Sequence, residues 1–297
     1  MLTGQPLSTS QIEDIATYVR QGTCILFLGA GVHSPAPEDS SYFYPDADRP
    51  PFGRELAARL AQKVDFESVF PSHESNESLS LQRVSLFYEL EKGRKQLITE
   101  VSSAIQEDKK PSSVLRALAS LNFPLVITTN YDLLFERALI LAGQEPVISI
   151  YDPEPLPVSD FTNPTSKRPF VLKIHGDISK PQSIVITDED YIQFVLRMGD
   201  KDSLHPVPMT FRYRFTTWPT LFVGYSLIDY NLRLLFKTLR WKIDLSNVPM
   251  SYSVDHSPDP LIWQVWDRRG YVKFIAQNVW TFLPQLYQLV TGEEMPQ

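Results

Sequence analysis

The sequence has very little cysteine and no long apolar run, and both absences narrow what the chain can be. Its one cysteine among 297 residues, Cys24, cannot form an internal disulfide or supply the four thiolates of a cysteine zinc site. No apolar stretch approaches the roughly 20 residues that cross a bilayer. No basic segment followed by an apolar core opens the sequence, so no signal peptide is expected. These features favour a cytoplasmic protein without membrane association.

Positive charge is scarce as well. The chain carries 28 Lys and Arg against 35 Asp and Glu, for a net charge of −7, and no basic run occurs. Because affinity for nucleic acid depends on neutralising phosphates, strong direct nucleic-acid binding is not expected. A hydrophobic content of 43% with 21% charged residues is typical of a folded globular chain. The length suits one large α/β domain or two small ones.

Short apolar runs alternate with helical patterns along most of the chain. We predict strands at 24–28, 124–129, 147–150, 170–174, 184–186, 220–223, 250–254 and 271–275. Helices are predicted at 10–20, 132–142, 188–198, 229–242 and 278–290. This alternation predicts an α/β fold, a Rossmann-like doubly wound parallel sheet with helices on both faces.

Between the first two strands the pattern changes. Residues 52–121 show only helical periodicity, and the Pro-rich segment 34–51 is too long for an ordinary connection. We therefore expect a single domain over 1–297, with a core of 22–33 and 122–297 and a loop and helical insertion over 34–121. The segment 34–51 is predicted as a mobile lid; the alternative is a surface loop packed permanently against the insertion or another subunit.

Polar, turn-forming clusters follow four of the predicted strands. They are Gly29-Ala30-Gly31, Thr128-Thr129-Asn130-Tyr131-Asp132, His175-Gly176-Asp177 and Gly224-Tyr225-Ser226. Ligands of open parallel sheets bind beyond the carboxyl ends of the strands, so the four clusters predict one shared crevice. A Gly-rich turn also lets the backbone approach a pyrophosphate, although the full three-glycine fingerprint is absent.

Each cluster also has a purely structural alternative. The glycines at 29–31 are equally typical of a tight turn without a ligand. Asp132 could serve only as the cap of the following helix, and Asn130 only as a turn residue. Against this alternative, a helix cap needs only one polar residue, whereas residues 128–132 offer several hydrogen-bond donors and acceptors together.

The histidines are weighed in the same way. A lone His at a strand end is more often structural, but His175 precedes a glycine that exposes it, and a neutral imidazole is a natural general base. Asp177 either orients that ring or caps the next turn. Ser226 can donate to a phosphate or ribose oxygen, whereas Asp229 is interpreted as a helix cap. Of the other four histidines, His33 is close enough to the glycine turn to line the pocket. The rest (His73, His205 and His256) lie in loops without metal-ligand spacing, so no metal site is predicted.

Taken together, the clusters resemble the sirtuin superfamily over residues 22–242, in the right order. Gly29-Ala30-Gly31 resembles its nucleotide loop, and 128–132 resembles its Thr-Gln-Asn-x-Asp motif with Thr in place of Gln. His175-Gly176 resembles the catalytic His-Gly, and Gly224-Tyr225-Ser226 resembles the Gly-Thr-Ser segment. The chain lacks the four cysteines of the zinc ribbon and the Pro-Asp-Phe-Arg run of protein-deacylating sirtuins.

The form of these motifs resembles instead the sirtuin-like effectors of prokaryotic anti-phage systems, above all the short subunit that pairs with a HerA-type hexameric ATPase. The resemblance implies hydrolysis of the nicotinamide–ribose bond, with NAD as substrate, no prosthetic group and no zinc. It implies that Asp132 holds the carboxamide, that Asn130 binds the ribose or water, and that His175 is the base. Contacts with the rest of NAD are assigned to Gly29, Ala30, Gly31, Thr129, Gly224 and Ser226.

Two rival functions stay open: a metal-free protein deacylase and a non-catalytic nucleotide-binding scaffold subunit. Aromatic and Arg-rich segments such as 42–44 and 211–215 are typical of interfaces, although they could equally pack in the core. From these segments and the absence of room for a fused sensor, we expect a homo-oligomer that a partner ATPase controls.

Overall fold

The protein is built on one parallel sheet. A computed structural model describes residues 9–71, 80–106, 108–227, 249–267 and 272–297. Within these ranges seven parallel strands pair in the order β3-β4-β2-β1-β5-β6-β7. Their bounds are β1 (Ile25–Leu28), β2 (Leu125–Thr128), β3 (Val147–Ile150), β4 (Phe170–Lys173), β5 (Thr220–Val223), β6 (Ser251–Val254) and β7 (Val272–Ile275).

Helices cover the sheet and fill the segment between β1 and β2. They are α1 (Thr9–Gln21), α2 (Gly53–Lys63), α3 (Phe66–Val69), α4 (Leu81–Lys92), α5 (Arg94–Gln106), α6 (Ser113–Ser120), α7 (Leu134–Leu141), α8 (Asp188–Arg197), α9 (Met209–Arg214), α10 (Pro260–Asp267) and α11 (Val279–Thr291). In the part of the chain described here, no helix has both the length and the apolar character that a membrane crossing requires.

The central strands are buried on both faces, which explains their continuous apolar runs. Along β1, Leu26 and Leu28 pack into the core beneath α1, α6 and α11, whereas Ile25 and Phe27 pack into the core on the other face. Two separate cores on either side of one sheet confirm the predicted doubly wound α/β fold.

Strand β1 lies at the point where the connections reverse. Ile25 is in register with Leu125 of β2 on one side and with Thr220 of β5 on the other. The chain passes from β1 to β2 through the helical segment and reaches β5 only much later. A crevice opens at such a switch point beyond the carboxyl ends of the strands, so the fold places a ligand site next to Gly29 and Gly224.

One predicted strand is wrong. Residues 184–186 form no strand; Ile184 and Ile186 instead pack into a third core with helices α2, α4 and α5. A short apolar run buried against helices has the same pattern as a buried strand, so periodicity could not separate the two. The predicted helix 229–242, with Asp229, lies outside the described residues.

The segment 34–51 packs against the body of the protein. Tyr44 is buried, its hydroxyl donates to the Lys110 carbonyl oxygen at 3.0 Å, and the rings of Tyr42 and Tyr44 contact Trp280 of α11. The Trp280 indole N–H in turn donates to the Ser34 carbonyl oxygen at 3.0 Å. These contacts favour the alternative of a structurally anchored loop over the predicted mobile lid.

Candidate functional site

A cleft of about 910 Å³ opens at the carboxyl ends of the central strands. It is large enough for a ligand, because small-molecule pockets measure roughly 300–1,000 Å³. Of the residues that the sequence nominated, Gly29 does not line the cleft. The others do: Ala30, Gly31, Thr129, Asn130, Asp132, His175, Gly224 and Ser226. The structure thus brings all four polar clusters to one place.

The glycine turn packs directly against the loop after β5. Gly224 has a φ of +66°, and a Cβ there would lie 2.0 Å from the Val32 nitrogen. The Gly29 and Gly31 amides donate to the carbonyl oxygens of Val223 and Gly224 at 3.0 and 2.7 Å. These two N–H groups are therefore not free to hold an anion, contrary to the expectation from the sequence, and the glycines are required by the close approach of two loops.

The end of β2 joins the end of β1 through side chains. Asp132 has two partners: Oδ1 accepts from the Leu134 amide at 2.9 Å, which caps α7, and Oδ2 lies 3.1 Å from His33 Nε2. Asn130 donates from Nδ2 to the Gly29 carbonyl oxygen at 3.3 Å. The capping role weighed from the sequence is thus real, but it occupies only one of the two Asp132 oxygens.

The environment of Asp132 keeps its carboxylate charged. Burial alone would raise the pKa of Asp132, but its electrostatic interaction and hydrogen bond with His33, with help from Lys173, lower that pKa to about 2. Asp132 is 7% exposed and His33 is 2% exposed, so little water screens this contact. At neutral pH the cleft floor therefore holds a fixed negative charge whose oxygens can only accept hydrogen bonds.

A buried lysine at the end of β4 contacts the backbone of Asp132. Lys173, the last residue of β4, is 0% exposed and donates to the Asp132 backbone carbonyl oxygen at 2.5 Å. It also forms ion pairs with Glu136 at 2.7 Å and Asp177 at 2.5 Å. Burial disfavours the ammonium, but these carboxylates outweigh it and raise the pKa of Lys173. The lysine thereby ties the loop after β2 to the loop after β4.

Aromatic rings hold His175 in place beside the cleft. The imidazole, 4% exposed, makes edge-on contacts with Tyr191 and Phe194 of α8, with ring centroids 5.2 Å apart in both cases. Gly176 follows with a φ of +85°, and a Cβ there would lie 2.1 Å from the Ser183 carbonyl oxygen. The glycine is therefore needed for the turn that presents His175 to the cleft.

Asp177 supports the turn. Its Oδ1 accepts from the Ser179 amide at 2.6 Å, and its Oδ2 pairs with Lys173. The structure therefore favours the capping alternative for Asp177 over the orientation of His175.

Sequence reasoning missed three features of the site. Lys173 was hidden inside an apolar strand, where a charged residue is itself a signal, because lone charges are almost never fully buried. The hydrogen bond between His33 and Asp132 joins residues 99 positions apart, and no local pattern encodes it. His256, discounted as a loop residue, and Asp255, which no sequence pattern singled out, line the cleft beyond β6.

Within the described residues, no group of three or more His, Cys, Asp or Glu is arranged to hold a metal ion.

Comparison with known proteins identifies the family. The SIR2-like domain family matches residues 124–274, which is half of the chain and includes Asn130, His175 and Ser226. The chain belongs to the SIR2-like domain family. The glycine turn and the helical segment precede the matched region, so their assignment to the same site comes from the tertiary structure.

Several curated bacterial proteins are similar to the chain. The chain is 26% identical over 254 residues to defense-associated sirtuin 2 of Bacillus subtilis, an alignment that covers 84% of this chain and 22% of that protein. It is 32% identical over 139 residues to NAD(+) hydrolase ThsA of Enterococcus faecium, covering 46% and 26%. The protein of the same name in Cytobacillus dafuensis is 30% identical over 154 residues, covering 50% and 28%. The chain thus spans less than a third of the length of these relatives.

Proposed function

We propose that this SIR2-like protein hydrolyses the nicotinamide–ribose bond of NAD. The observation that carries the proposal is the convergence of Asn130, Asp132, His175 and the Gly224–Ser226 loop on one cleft at the switch point of the sheet. The names of two relatives, both NAD(+) hydrolases, support the same chemistry. The sirtuin resemblance supports the assignment of a role to each residue.

The reaction needs positioning and one proton acceptor. As the bond breaks, its electron pair returns to the pyridinium ring and nicotinamide leaves uncharged, while the ribose becomes oxocarbenium-like. Water adds to the ribose carbon and its proton passes to His175, which Tyr191 and Phe194 orient. In this scheme Asn130 binds the attacking water or the ribose.

Asp132 contributes charge and hydrogen-bond acceptors. Its carboxylate oxygens already serve Leu134 and His33, but each oxygen has a second lone pair. A contact with the nicotinamide carboxamide would therefore add to the existing bonds. Ala30, Thr129 and Ser226 are proposed to contact the phosphates and riboses, with Gly29, Gly31 and Gly224 setting the loop conformations.

Substitution of the two principal residues tests the proposal. We expect Asn130→Ala and His175→Ala each to reduce nicotinamide release by at least ~100-fold, the lower range for loss of a positioned acid–base group. Asn122→Ala is the matched control, because Asn122 is a half-buried residue that precedes β2 and does not line the cleft, whereas Asn130 follows β2 and does. Chromatography of nicotinamide and ADP-ribose gives the rates, and circular dichroism establishes folding. A folded His175→Ala protein with near-normal turnover would contradict the mechanism.

The rival functions give different products. Incubation with NAD and an acetylated peptide distinguishes them, because peptide-independent nicotinamide release supports hydrolysis and peptide-dependent release supports a deacylase. Bound NAD that stays intact, with or without a partner, would identify a scaffold subunit.

We also propose a cellular setting for this activity. The relation to a defense-associated sirtuin supports a role as an anti-phage effector that depletes NAD in the cytoplasm. The resemblance described above supports a homo-oligomer controlled by a HerA-type hexameric ATPase. Light scattering that shows a monomer at micromolar concentration, or NAD cleavage that does not rise when such an ATPase is added, would contradict this part.

A further inference from the structure

His33 is an unexplained histidine in the cleft. It ends the short 3-10 turn Ala30–His33 after β1, is 2% exposed and lines the cleft together with Asn130 and His175. Its Nδ1 atom is buried and has no hydrogen-bond partner among the residues that the structure describes. Buried polar atoms are nearly always paired, so an unpaired one in a cleft wall indicates a partner that the protein itself does not supply.

The neighbours of the other ring nitrogen decide what Nδ1 can do. Nε2 lies 3.1 Å from Asp132 Oδ2, a carboxylate oxygen that can only accept, so Nε2 must carry a proton. Asn130 Nδ2 is 3.5 Å from the same nitrogen, but it already donates to the Gly29 carbonyl oxygen. The shorter, charge-assisted contact with Asp132 is the stronger of the two. In the neutral ring, Nδ1 then carries a lone pair and no proton.

Nδ1 is the ring atom that the protein leaves unpaired: among the described residues it has no hydrogen-bond partner, and unpaired buried acceptors are less rare in proteins than unpaired buried donors. Asp132 remains ionised at neutral pH because its pKa is held at about 2. In the neutral ring, the Asp132 carboxylate therefore selects the tautomer with the proton on Nε2 and the acceptor at Nδ1.

We propose that His33 is a substrate-binding residue whose Nδ1 accepts a hydrogen bond from the nicotinamide riboside part of NAD. The donor is the carboxamide N–H or the ribose 2′-hydroxyl, the two donors nearest the bond that breaks. Asp132 is then the positioning residue that holds His33 in the accepting tautomer. This inference rests on the proposed function, because it names a further contact in the same site.

Two substitutions separate binding from support of Asp132. In His33→Gln the side-chain amide reaches the Nε2 position and still donates to Asp132, but the acceptor at Nδ1 is lost. In His33→Asn the shorter amide places an oxygen near the Nδ1 position and loses the contact with Asp132. We expect His33→Gln to lower kcat/KM for NAD by roughly 10- to 100-fold, the effect of leaving one substrate donor unpaired, and His33→Asn to retain more activity. The opposite order would overturn the proposal.

Substrate analogues identify the donor. The 3-acetylpyridine analogue of NAD lacks the carboxamide N–H, and a 2′-deoxyribose analogue lacks the hydroxyl. The penalty of His33→Gln should disappear with the analogue that lacks the donor, as in a double-mutant cycle. An equal penalty with NAD and with both analogues would mean that His33 acts only on the protein structure, and would overturn the inference.

Nuclear magnetic resonance of protein labelled with 15N-histidine gives a readout that does not depend on turnover. The His33 signals are assigned by their loss in His33→Gln. We expect a proton on Nε2 and none on Nδ1 in the free protein, and a shift of the Nδ1 resonance when a carbocyclic, uncleavable NAD analogue binds. A proton on Nδ1, or analogue binding in calorimetry without that shift, overturns the inference alone. Absence of both NAD binding and NAD cleavage overturns the proposed function as well.

Discussion

Replacement of Asp132 by asparagine should destabilise the protein in a manner that depends on pH. Asparagine keeps an oxygen that can accept from the Leu134 amide, so the cap of α7 survives. What is lost is the negative charge opposite His33 and close to Lys173. Asp132→Asn therefore tests the electrostatic part of the site with little change in shape.

The size of the effect follows from the pKa of Asp132. The pKa of an unperturbed aspartate, 3.8, falls to about 2 for Asp132 in the folded protein. Each pKa unit corresponds to about 1.4 kcal/mol, so the wild-type carboxylate contributes roughly 2 kcal/mol to stability at neutral pH. Because the folded pKa is depressed, this contribution is fully present above the unfolded pKa near 4. It is lost as pH falls through the folded pKa near 2.

Urea unfolding followed by tryptophan fluorescence at several pH values measures this difference. Between pH 5 and 7 we expect Asp132→Asn to be about 2 kcal/mol less stable than wild type, and the two proteins to converge as the pH approaches 2. Asp152→Asn is the control, because its partner Lys180 is a third exposed and such pairs contribute at most about 1 kcal/mol. A stability difference that stays constant from pH 7 to pH 3 would refute the reasoning.

Three further predictions concern packing, the buried lysine and the loop. Gly224→Ala should lower the free energy of unfolding by more than about 2 kcal/mol, because the added Cβ would clash with Val32. Gly143 has a similar φ and open space around it, so Gly143→Ala should lower it by only about 1 kcal/mol in the same unfolding assay. Lys173→Met should destabilise the folded protein by about 3–5 kcal/mol, because it leaves the buried carboxylates of Glu136 and Asp177 unpaired. A loss of unfolding free energy below about 1 kcal/mol in thermal unfolding would contradict a stabilising ion-pair network. Amide hydrogen exchange around residues 42–44 should be slow both with and without a non-hydrolysable NAD analogue. Protection gained only when the analogue binds would instead support the predicted mobile lid.

Local pattern was sufficient for most of the fold. Apolar runs placed all seven described strands to within one residue at each end. The run at 184–186 misled because it is buried by helices and not by strand pairing. Alternation of strands and helices was enough for the doubly wound sheet, since few other arrangements bury both faces of such strands.

The sequence by itself determined the sheet, its all-parallel character and the polar residues at the strand ends, because these depend on short-range periodicity and turn chemistry. Only the tertiary structure decided how those residues share their hydrogen bonds. In the folded protein the Gly29 and Gly31 amides donate to the loop after β5, and Asp132 pairs with His33. Lys173 is buried where it contacts both Asp132 and Asp177. The Asp132–His33 pairing joins positions 99 residues apart, and the glycine pairings join positions still farther apart. They are set by which strand ends become neighbours in the sheet, a property that no local window of sequence contains.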